Sequence, residues 1–453
     1  MRLVSLFIGL LTINLLNAQE IFTEDKIIKF LTKENPFIYE TLAQEYIYRE
    51  KKRYFLGDFD TKLSAKYDKK DYPTSEGEFF DFTIDKPLEN GTEFILGYRE
   101  AEGVQEYNNI KTGSDGEVRA GIKIPVFSVI NNISTRKLNL DSASLDAKKF
   151  SFKSKDNLRL LYFKVVSLYS ELLYFKDVLE LENELLDVAK KREIIINKRV
   201  KLGALANISL LEATQQIINR KQRLVSAQNS FFNTFANFLK YLNISKTEFE
   251  KLYILPSIEE IKDEYIDIES SINSAIENRA DLKVFDYEIK KMNLQERHTN
   301  LLKYPNLNIS FYGVHDFTYE HGFKVAIDMA FPIEQRKYEG RYAQIKKSIK
   351  NIENSKEKRI INVKIKLTNI INSLKNIAIN IKNSKDEVLL VEKLQEAENK
   401  KYRLGLSTLF MVNQREIYTL EIKKKLLTYN LTHLLLQQEV NSEIGNIINF
   451  NVK

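Results

Sequence analysis

Cysteine and tryptophan are both missing from this 453-residue chain. Without cysteine there is no disulfide framework, no thiolate metal site and no lipidated N-terminal cysteine. Proline (7 residues) and glycine (15) are scarce, and the long stretches of Asn, Lys, Ile and Leu that remain suit long helices better than loop-rich folds. Histidine occurs only as His298, His315, His321 and His433. His315 and His321 flank the segment "HDFTYEH", but two ligands without cysteine or an HExxH spacing make a weak metal site beside the reading of a solvated loop. No Gly-rich phosphate loop and no Gly-x-Ser-x-Gly occurs, and no carboxylate pair stands out from a chain that is 29% charged. Neither catalysis nor a cofactor or resident metal is expected. The formal charge of +7 is spread along the chain, without a basic tail or an RNA-binding signature, so nucleic acid is not an expected partner. Charge runs such as "KKREIIINKR" read as wet helix faces.

Long hydrophobic runs are also missing, save one at the N-terminus. "MRLVSLFIGLLTINLLNAQE" has one Arg, an apolar run from Leu3 to Leu16, then Asn17-Ala18 before Gln19. That pattern reads as a signal peptide over 1–18, cut after Ala18, with Leu16 larger than ideal at the minus-three position. About 14 apolar residues fall short of the ~20 that a membrane-spanning helix needs. The expectation is an exported chain with no spanning helix.

What is present is a repeat. "NKRVKLG" (Asn197–Gly203) returns as "NKKYRLG" (Asn399–Gly405), an offset of 202 residues between Gly203 and Gly405. Upstream, Leu158, Leu161, Val165, Leu168, Leu172, Phe175 and Leu179 step alternately by three and four. At the same offset stand Ile360, Val363, Leu367, Ile370, Leu374, Ile377 and Ile381, all apolar and in register. The seam breaks at Glu182 and Ser384 and resumes at Leu186 and Val388. This is a duplicated helix whose 3.5-residue period marks coiled-coil packing. From about Ser134 to Lys201 and from Tyr338 to Arg403 no proline interrupts, so each helix would run roughly 100 Å at ~1.5 Å per residue. Beyond each glycine a second helical pattern follows, Leu210 to Leu242 and Leu409 to Ile444. The glycines thus stand where one helix ends and another begins, the place for a left-handed residue.

Before each long helix the period switches to two. Phe323, Val325, Ile327, Met329 and Phe331 alternate with Lys324, Ala326, Asp328 and Ala330. Leu307, Ile309 and Phe311 do the same, as do Val118, Ala120, Ile122 and Ile124, and Phe94, Leu96 and Tyr98. One apolar and one polar face over about nine residues fits a transmembrane β-strand. A sandwich strand of a soluble domain fits any single one as well, but not small groups of strands between very long helices. A few strands cannot close a barrel, and open sheet edges cannot sit in lipid, so several chains would have to share one barrel.

The signal peptide, the duplication, strands feeding a long helix and a Gly-ended turn into a shorter helix together resemble the TolC-like outer-membrane efflux protein family. The resemblance covers nearly all of the mature chain. "ENPFIYE" (Glu34–Glu40) is similar to the family's Asn-Pro start of its first helix, and "AIENRADLKVFDYEI" (Ala275–Ile289) to its Arg-x-Asp-Leu helix start. "YPNLNISFYG" resembles its Pro-led strand, and "GIKIPVF" and "AFPIEQRKYEG" its strand-to-helix junctions. The fold class implied is an α+β membrane protein. Its duplicated long α-helical coiled-coil hairpins and β-strands form a trimeric outer-membrane β-barrel continuous with a periplasmic α-helical barrel. Each protomer of the homotrimer gives four strands to a twelve-stranded barrel. The first half instead offers four strand-like runs by itself, Thr61–Tyr67, Phe79–Ile84, Thr92–Tyr98 and Val118–Val126, where the family needs two; extra hairpins would extend the barrel's outer mouth. The expected organisation places a signal peptide at 1–18 and a first repeat at 19–246, with an N-terminal helix, strands within 58–127 and a long helix and hairpin over 128–246. A linker follows at 247–258. The second repeat spans 259–448, with a helix over 262–303, strands within 304–333 and a long helix and hairpin over 334–448, then a tail at 449–453.

The function implied is a passive exit duct of a tripartite efflux system in the outer membrane of a Gram-negative bacterium, extending into the periplasm. Its partners would be outer-membrane lipid, a periplasmic adaptor (membrane fusion) protein and an inner-membrane efflux pump or ABC exporter. Alternatives are a duct for type I polypeptide secretion and, in another class, a structural coiled-coil surface protein; a soluble helical enzyme lacks the residues to run it. The family's Val-Gly-Leu type adaptor-docking turns match Leu202-Gly203-Ala204 and Leu404-Gly405-Leu406. In the best-known members acidic residues about two helical turns past the glycine line a cation-selective constriction. The matching positions are Met411 and Gln414, with Ser407 at the position of the basic gate partner. No acidic ring forms from these, and Glu212 or Glu416 stand as substitutes. Met411 reads equally as helix-packing core.

Overall fold

The computed structural model describes residues 19–73, 75–103, 115–258 and 266–445. The signal peptide and the tail at 449–453 expected from the sequence lie outside the described residues. In chain order the elements are β1 (Glu20–Ile21), α1 (Ile27–Phe30), α2 (Pro36–Leu56), β2 (Lys62–Tyr72), β3 (Ser75–Pro87), β4 (Glu93–Gly103) and β5 (Glu117–Pro125). Next come α3 (Val126–Ile130), α4 (Thr135–Lys201), α5 (Asn207–Leu242), α6 (Lys246–Leu252), β6 (Tyr253–Ile254), α7 (Ile268–Asn278) and α8 (Ala280–Thr299). The chain ends with β7 (Asn306–Asp316), β8 (Glu320–Ala330), α9 (Arg336–Arg403) and α10 (Leu409–Ile444). Helices α4 and α9 have 67 and 68 residues, and α5 and α10 have 36 each. The C-terminal residues of α4 and α9, Lys201 and Arg403, stand one repeat offset apart, as do the first and last residues of α5 and α10. The stretch 247–258, read as a linker, holds α6 and β6, and the stretch read as one helix over 262–303 contains two, α7 and α8.

The chain divides into two compact units. The first holds the described residues within Met1–Tyr39, Leu158–Asn278 and Lys364–Lys453. Its core is the apolar seam: Leu158, Val165 and Leu172 of α4 and Leu367, Ile370, Leu374, Ile377 and Ile381 of α9 are all buried. The seam-breaking residues Glu182 and Ser384 are buried too, at 1% and 2% exposure. Glu182 is tolerated there because Lys424 of α10 pairs with it, supplying the countercharge a buried carboxylate requires. The N-terminal segment is anchored by Phe22, fully buried. Its ring lies 5.0 Å from those of Phe249 and Tyr253 and 5.8 Å from those of Tyr169 and Phe238. Beside it, β1 pairs in parallel with β6. Asn35 caps α2: its Oδ1 accepts from the Phe37 N–H at 3.0 Å, and Pro36 fills the first helical position, where no N–H is needed.

The second unit holds Glu40–Asn157 and Arg279–Val363. Its sheet has six strands in the order β2-β3-β4-β5-β7-β8, each neighbour pair antiparallel. The resemblance implied four strands, with extra hairpins extending the barrel's outer mouth. The structure shows six strands in one sheet, with the β2–β3 hairpin at its edge: both strands carry their own period-two pattern and β3 ladders fully with β4. The helices of this unit are joined by the Arg-x-Asp pattern. Arg279, in extended conformation just before α8, is fully buried and donates from Nε and Nη2 to Asp281 at 3.0 and 2.9 Å. Arg359 of α9 adds a third bond to Asp281 at 2.7 Å. Among the described residues no helix is long and apolar enough to cross a membrane.

Candidate functional site

Two places in the chain hold the residues singled out by sequence, one in each unit. In the first unit, α4 and α9 both end in the same turn. Gly203 (φ 72°) and Gly405 (φ 75°) are left-handed. The Gly203 N–H donates to the Val200 carbonyl at 2.9 Å and the Ala204 N–H to Arg199 at 2.8 Å; Gly405 to Tyr402 (3.1 Å) and Leu406 to Lys401 (2.9 Å) repeat the pattern. Both are Schellman caps, with the glycine at the position where a Cβ is disfavoured. A Cβ at either glycine would meet nothing within 4 Å, so the backbone there is open as well as left-handed. Leu202, Leu404 and Leu406 are 83%, 75% and 75% exposed, and Ala204 is exposed. Beneath them Ile196, Ala213 and Leu409 form a buried cluster with Val200, Leu205, Leu210 and Tyr402 against it, so residues of both repeats share one small core at this level.

Past the second glycine, the Ser407 hydroxyl donates to Glu398, and Thr408 caps α10 by accepting the Met411 N–H at 3.3 Å. Met411 is 41% exposed; Gln414 and Glu212 are exposed too. Glu416 is not: at 1% exposure its carboxylate is held by Arg192 of α4 and Arg220 of α5. Arg192 also donates to the Asn413 side chain at 3.2 Å and Arg220 to the Leu185 carbonyl at 2.9 Å. The wet-face reading of "KKREIIINKR" holds for Lys190, Lys191, Lys198 and Arg199, which are exposed, and fails at Arg192. Arg192 turns inward to a carboxylate 224 residues away, while Ile194 and Ile195 are left 55% and 56% exposed. No local period signals such a partner.

In the second unit, the registers of the sheet sort its residues into two faces. One row runs Leu63–Ile84–Leu96–Ala120–Gly313–Phe323 across all six strands. The next row on that face runs Phe94–Ile122–Phe311–Val325. Exposed apolar side chains fill this face: Leu63, Tyr67, Phe94, Leu96, Phe311, Phe323, Val325, Ile327 and Met329 are each about half exposed or more. The other face is polar. Asp81 of β3 accepts from Arg99 of β4 at 3.0 Å and from Arg119 of β5 at 2.7 Å, with Glu117 3.6 Å from Arg99. Arg119 has room because Gly97 stands beneath it; a Cβ there would come within 2.9 Å of its Nε. A cleft of about 690 Å³ on this face is lined by Asp85, Arg99, Arg119, Tyr312, Glu320 and Lys324 among others.

His315 and His321 lie in β7 and β8, not in a loop. They are cross-strand partners with Nδ1 atoms 3.0 Å apart, because the connection shrinks to Phe317–Tyr319, where Asp316 accepts the Thr318 and Tyr319 N–H groups at 2.9 and 3.0 Å. Among the described residues no group of three or more His, Cys, Asp or Glu side chains converges on a metal position.

No protein-family model matches the sequence, and no curated protein sequence matches it. Solved structures do match the fold. The Campylobacter jejuni CmeC outer membrane channel superposes with a TM-score of 0.72 at 11% identity, over 93% of this chain and 85% of that one. The Neisseria gonorrhoeae MtrE outer membrane channel in its open state gives 0.69 at 11% identity, over 95% and 90%. The Vibrio cholerae outer membrane protein VceC gives 0.68 at 13% identity, over 93% and 96%. The chain therefore has the TolC-like outer-membrane channel fold.

Proposed function

We propose that the protein is the outer-membrane exit duct of a tripartite efflux system, a homotrimer that conducts passively and performs no catalysis. The observation that carries this reading is the inside-out sheet. In a water-soluble sheet the apolar face is covered and the polar face is wet. Here the apolar face is bare across six strands while the charged face holds an ion-pair cluster, the arrangement of a barrel wall with lipid outside and water within. The helices support an oligomer independently. On α5, Leu211, Ile218, Val225 and Phe232 are each about half exposed or more at heptad spacing, a coiled-coil stripe with room for a further helix. In this reading the helices wall a periplasmic tunnel. The leucine-flanked glycine turns meet a periplasmic adaptor, and an inner-membrane pump or ABC exporter delivers the cargo.

The test is assembly followed by transport. Extracted from outer membranes in detergent, the protein should have the mass of three chains and migrate as a trimer until boiled; release as a soluble monomer from the periplasm would overturn the duct. Replacing Gly203 and Gly405 together with Asp puts two carboxylates on open surface at the turns. It should leave trimer level in the outer membrane near normal while abolishing efflux. Normal efflux by the double variant would reduce these turns to helix stops.

A further inference from the structure

The sheet has two free edges, β2 and β8, and each lies within the apolar band. We propose that the β2–β3 hairpin is part of the membrane wall and that β8 of one copy pairs with β2 of the next, so that three copies close a barrel of eighteen strands rather than twelve. The inference rests on the trimeric duct proposed above.

The hairpin carries the same outward pattern as the rest of the sheet. Leu63, Ala65 and Tyr67 of β2 face Ile84, Phe82 and Phe80 of β3, and Leu63 and Tyr67 are 67% and 59% exposed, no less than Phe94 and Leu96 of β4 at 49% and 48%. Strands meant for water beyond the membrane would have no need of that stripe. The hairpin's level is also right. The row through Leu63 reaches Leu96, Ala120 and Phe323, inside the band of every strand. The row through Ala65 crosses Phe82, Tyr98, Val118 and His315 and meets β8 at His321, just above the apolar run Phe323–Met329. The band therefore climbs from β8 to β2, as it must where strands tilt against a barrel axis. Above it β2 and β3 turn polar, with Lys69, Asp71, Glu76 and Glu78.

Twelve-strand closure would need the free edge of β4. That edge is occupied by eleven residue pairs with β3, from Gly77↔Gly103 to Pro87↔Glu93. Closing there would break this ladder and leave β3 with an unpaired edge in lipid, which the bilayer does not tolerate. Closing at β2 breaks nothing. All neighbours in the sheet are antiparallel, so across six strands β2 and β8 run in opposite directions and a β8–β2 seam is antiparallel as well. Both strands have 11 residues. Setting Ala65 opposite Ile327 matches their apolar runs, Leu63 with Met329 and Tyr67 with Val325, and on the polar face brings Asp68 opposite Lys324. Since barrel diameter grows roughly linearly with strand number, the mouth would be about one and a half times that of a twelve-stranded wall.

The absence of cysteine makes the test direct. Ser64→Cys is combined in the full chain with Lys324→Cys, Ala326→Cys or Asp328→Cys in turn, all on the water-facing side, and oxidised in outer membranes. A parallel set carries Ile95→Cys of β4 with the same three partners. Detergent mass of each variant is compared with the cysteine-free parent. Covalent dimers and trimers after boiling, from at least one Ser64 pair and from no single-cysteine variant, are expected. Links from Ile95 but not Ser64, or none from Ser64 in variants that assemble as trimers, would overturn the eighteen-strand wall and leave the duct intact. A monomeric parent would instead overturn the duct.

Discussion

At the residue scale, the two glycines that the sequence repeat exposed do what their position requires. Each takes a left-handed φ that an L side chain adopts only at a cost of about 1–2 kcal/mol. Because a Cβ there meets nothing, that cost is purely conformational. Gly203→Ala or Gly405→Ala should therefore fray the turn locally: hydrogen-exchange protection of the Ala204 or Leu406 amide should fall about ten-fold, with Asn in place of Ala losing less because Asn tolerates the left-handed region. Unchanged protection would mean that the caps are held by packing rather than by φ. These glycines were legible because a repeat states the same fact twice. Arg192 was not. Its neighbours are Lys190, Lys191 and Glu193, which argue for water, and its partners Glu416 and Asn413 lie on α10. Contacts between segments more than two hundred residues apart leave no mark on a local charge pattern.

At the element scale, the helices and strands were readable because periods of 3.5 and 2 are geometric consequences of their own backbones. What the sequence hid was how elements are tied. Asp281 is one such tie. Burial raises its carboxyl pKa, but hydrogen bonds and charge from Arg279 and Arg359 outweigh this and hold it below the usual carboxylate value. A lowered folded-state pKa gives stability that is fully present above the unfolded value, near 4, and is lost as pH falls through the folded one. Asp281→Asn should thus destabilise at pH 7, by about 1.5–3 kcal/mol, since the bonds that Arg279 and Arg359 make to it lose their charged acceptor. The gap in denaturation midpoint from the parent should shrink as pH drops below about 4; a gap independent of pH would assign the effect to shape rather than charge. A second tie is Glu416, which joins α4, α5 and α10 through Arg192 and Arg220. Glu416→Gln should loosen these helices near the turns by about 3 kcal/mol, seen as faster proteolysis after Lys198 or Arg199. Replacing Glu416, Arg192 and Arg220 together with apolar residues should restore resistance.

At the scale of the whole molecule, a duct's selectivity follows the charge at its narrowest ring. The positions matching the acidic constriction of the best-known TolC-like channels are here Met411 and Gln414, both exposed and neither charged. Glu416, the nearest acidic residue downstream, is unavailable: two guanidiniums occupy its carboxylate and it is 1% exposed. Glu212 on α5 stays exposed, and is the carboxylate left to act if any of these does. A ring of three uncharged residues has no field to concentrate cations, and neither Met411 nor Gln414 supplies the carboxylates that hold a multivalent ion most strongly. In planar bilayers the trimeric duct proposed above should therefore show weak preference for potassium over chloride, and millimolar trivalent cation should leave most of its conductance. Met411→Asp, which installs three carboxylates at one level of a trimer, should create cation preference and block. Strong block in the parent that disappears in Glu212→Gln would place the constriction charge on α5 instead. Strong block that survives Glu212→Gln would place it outside both hairpin turns and sink the assignment of Met411 and Gln414 to the narrowest ring.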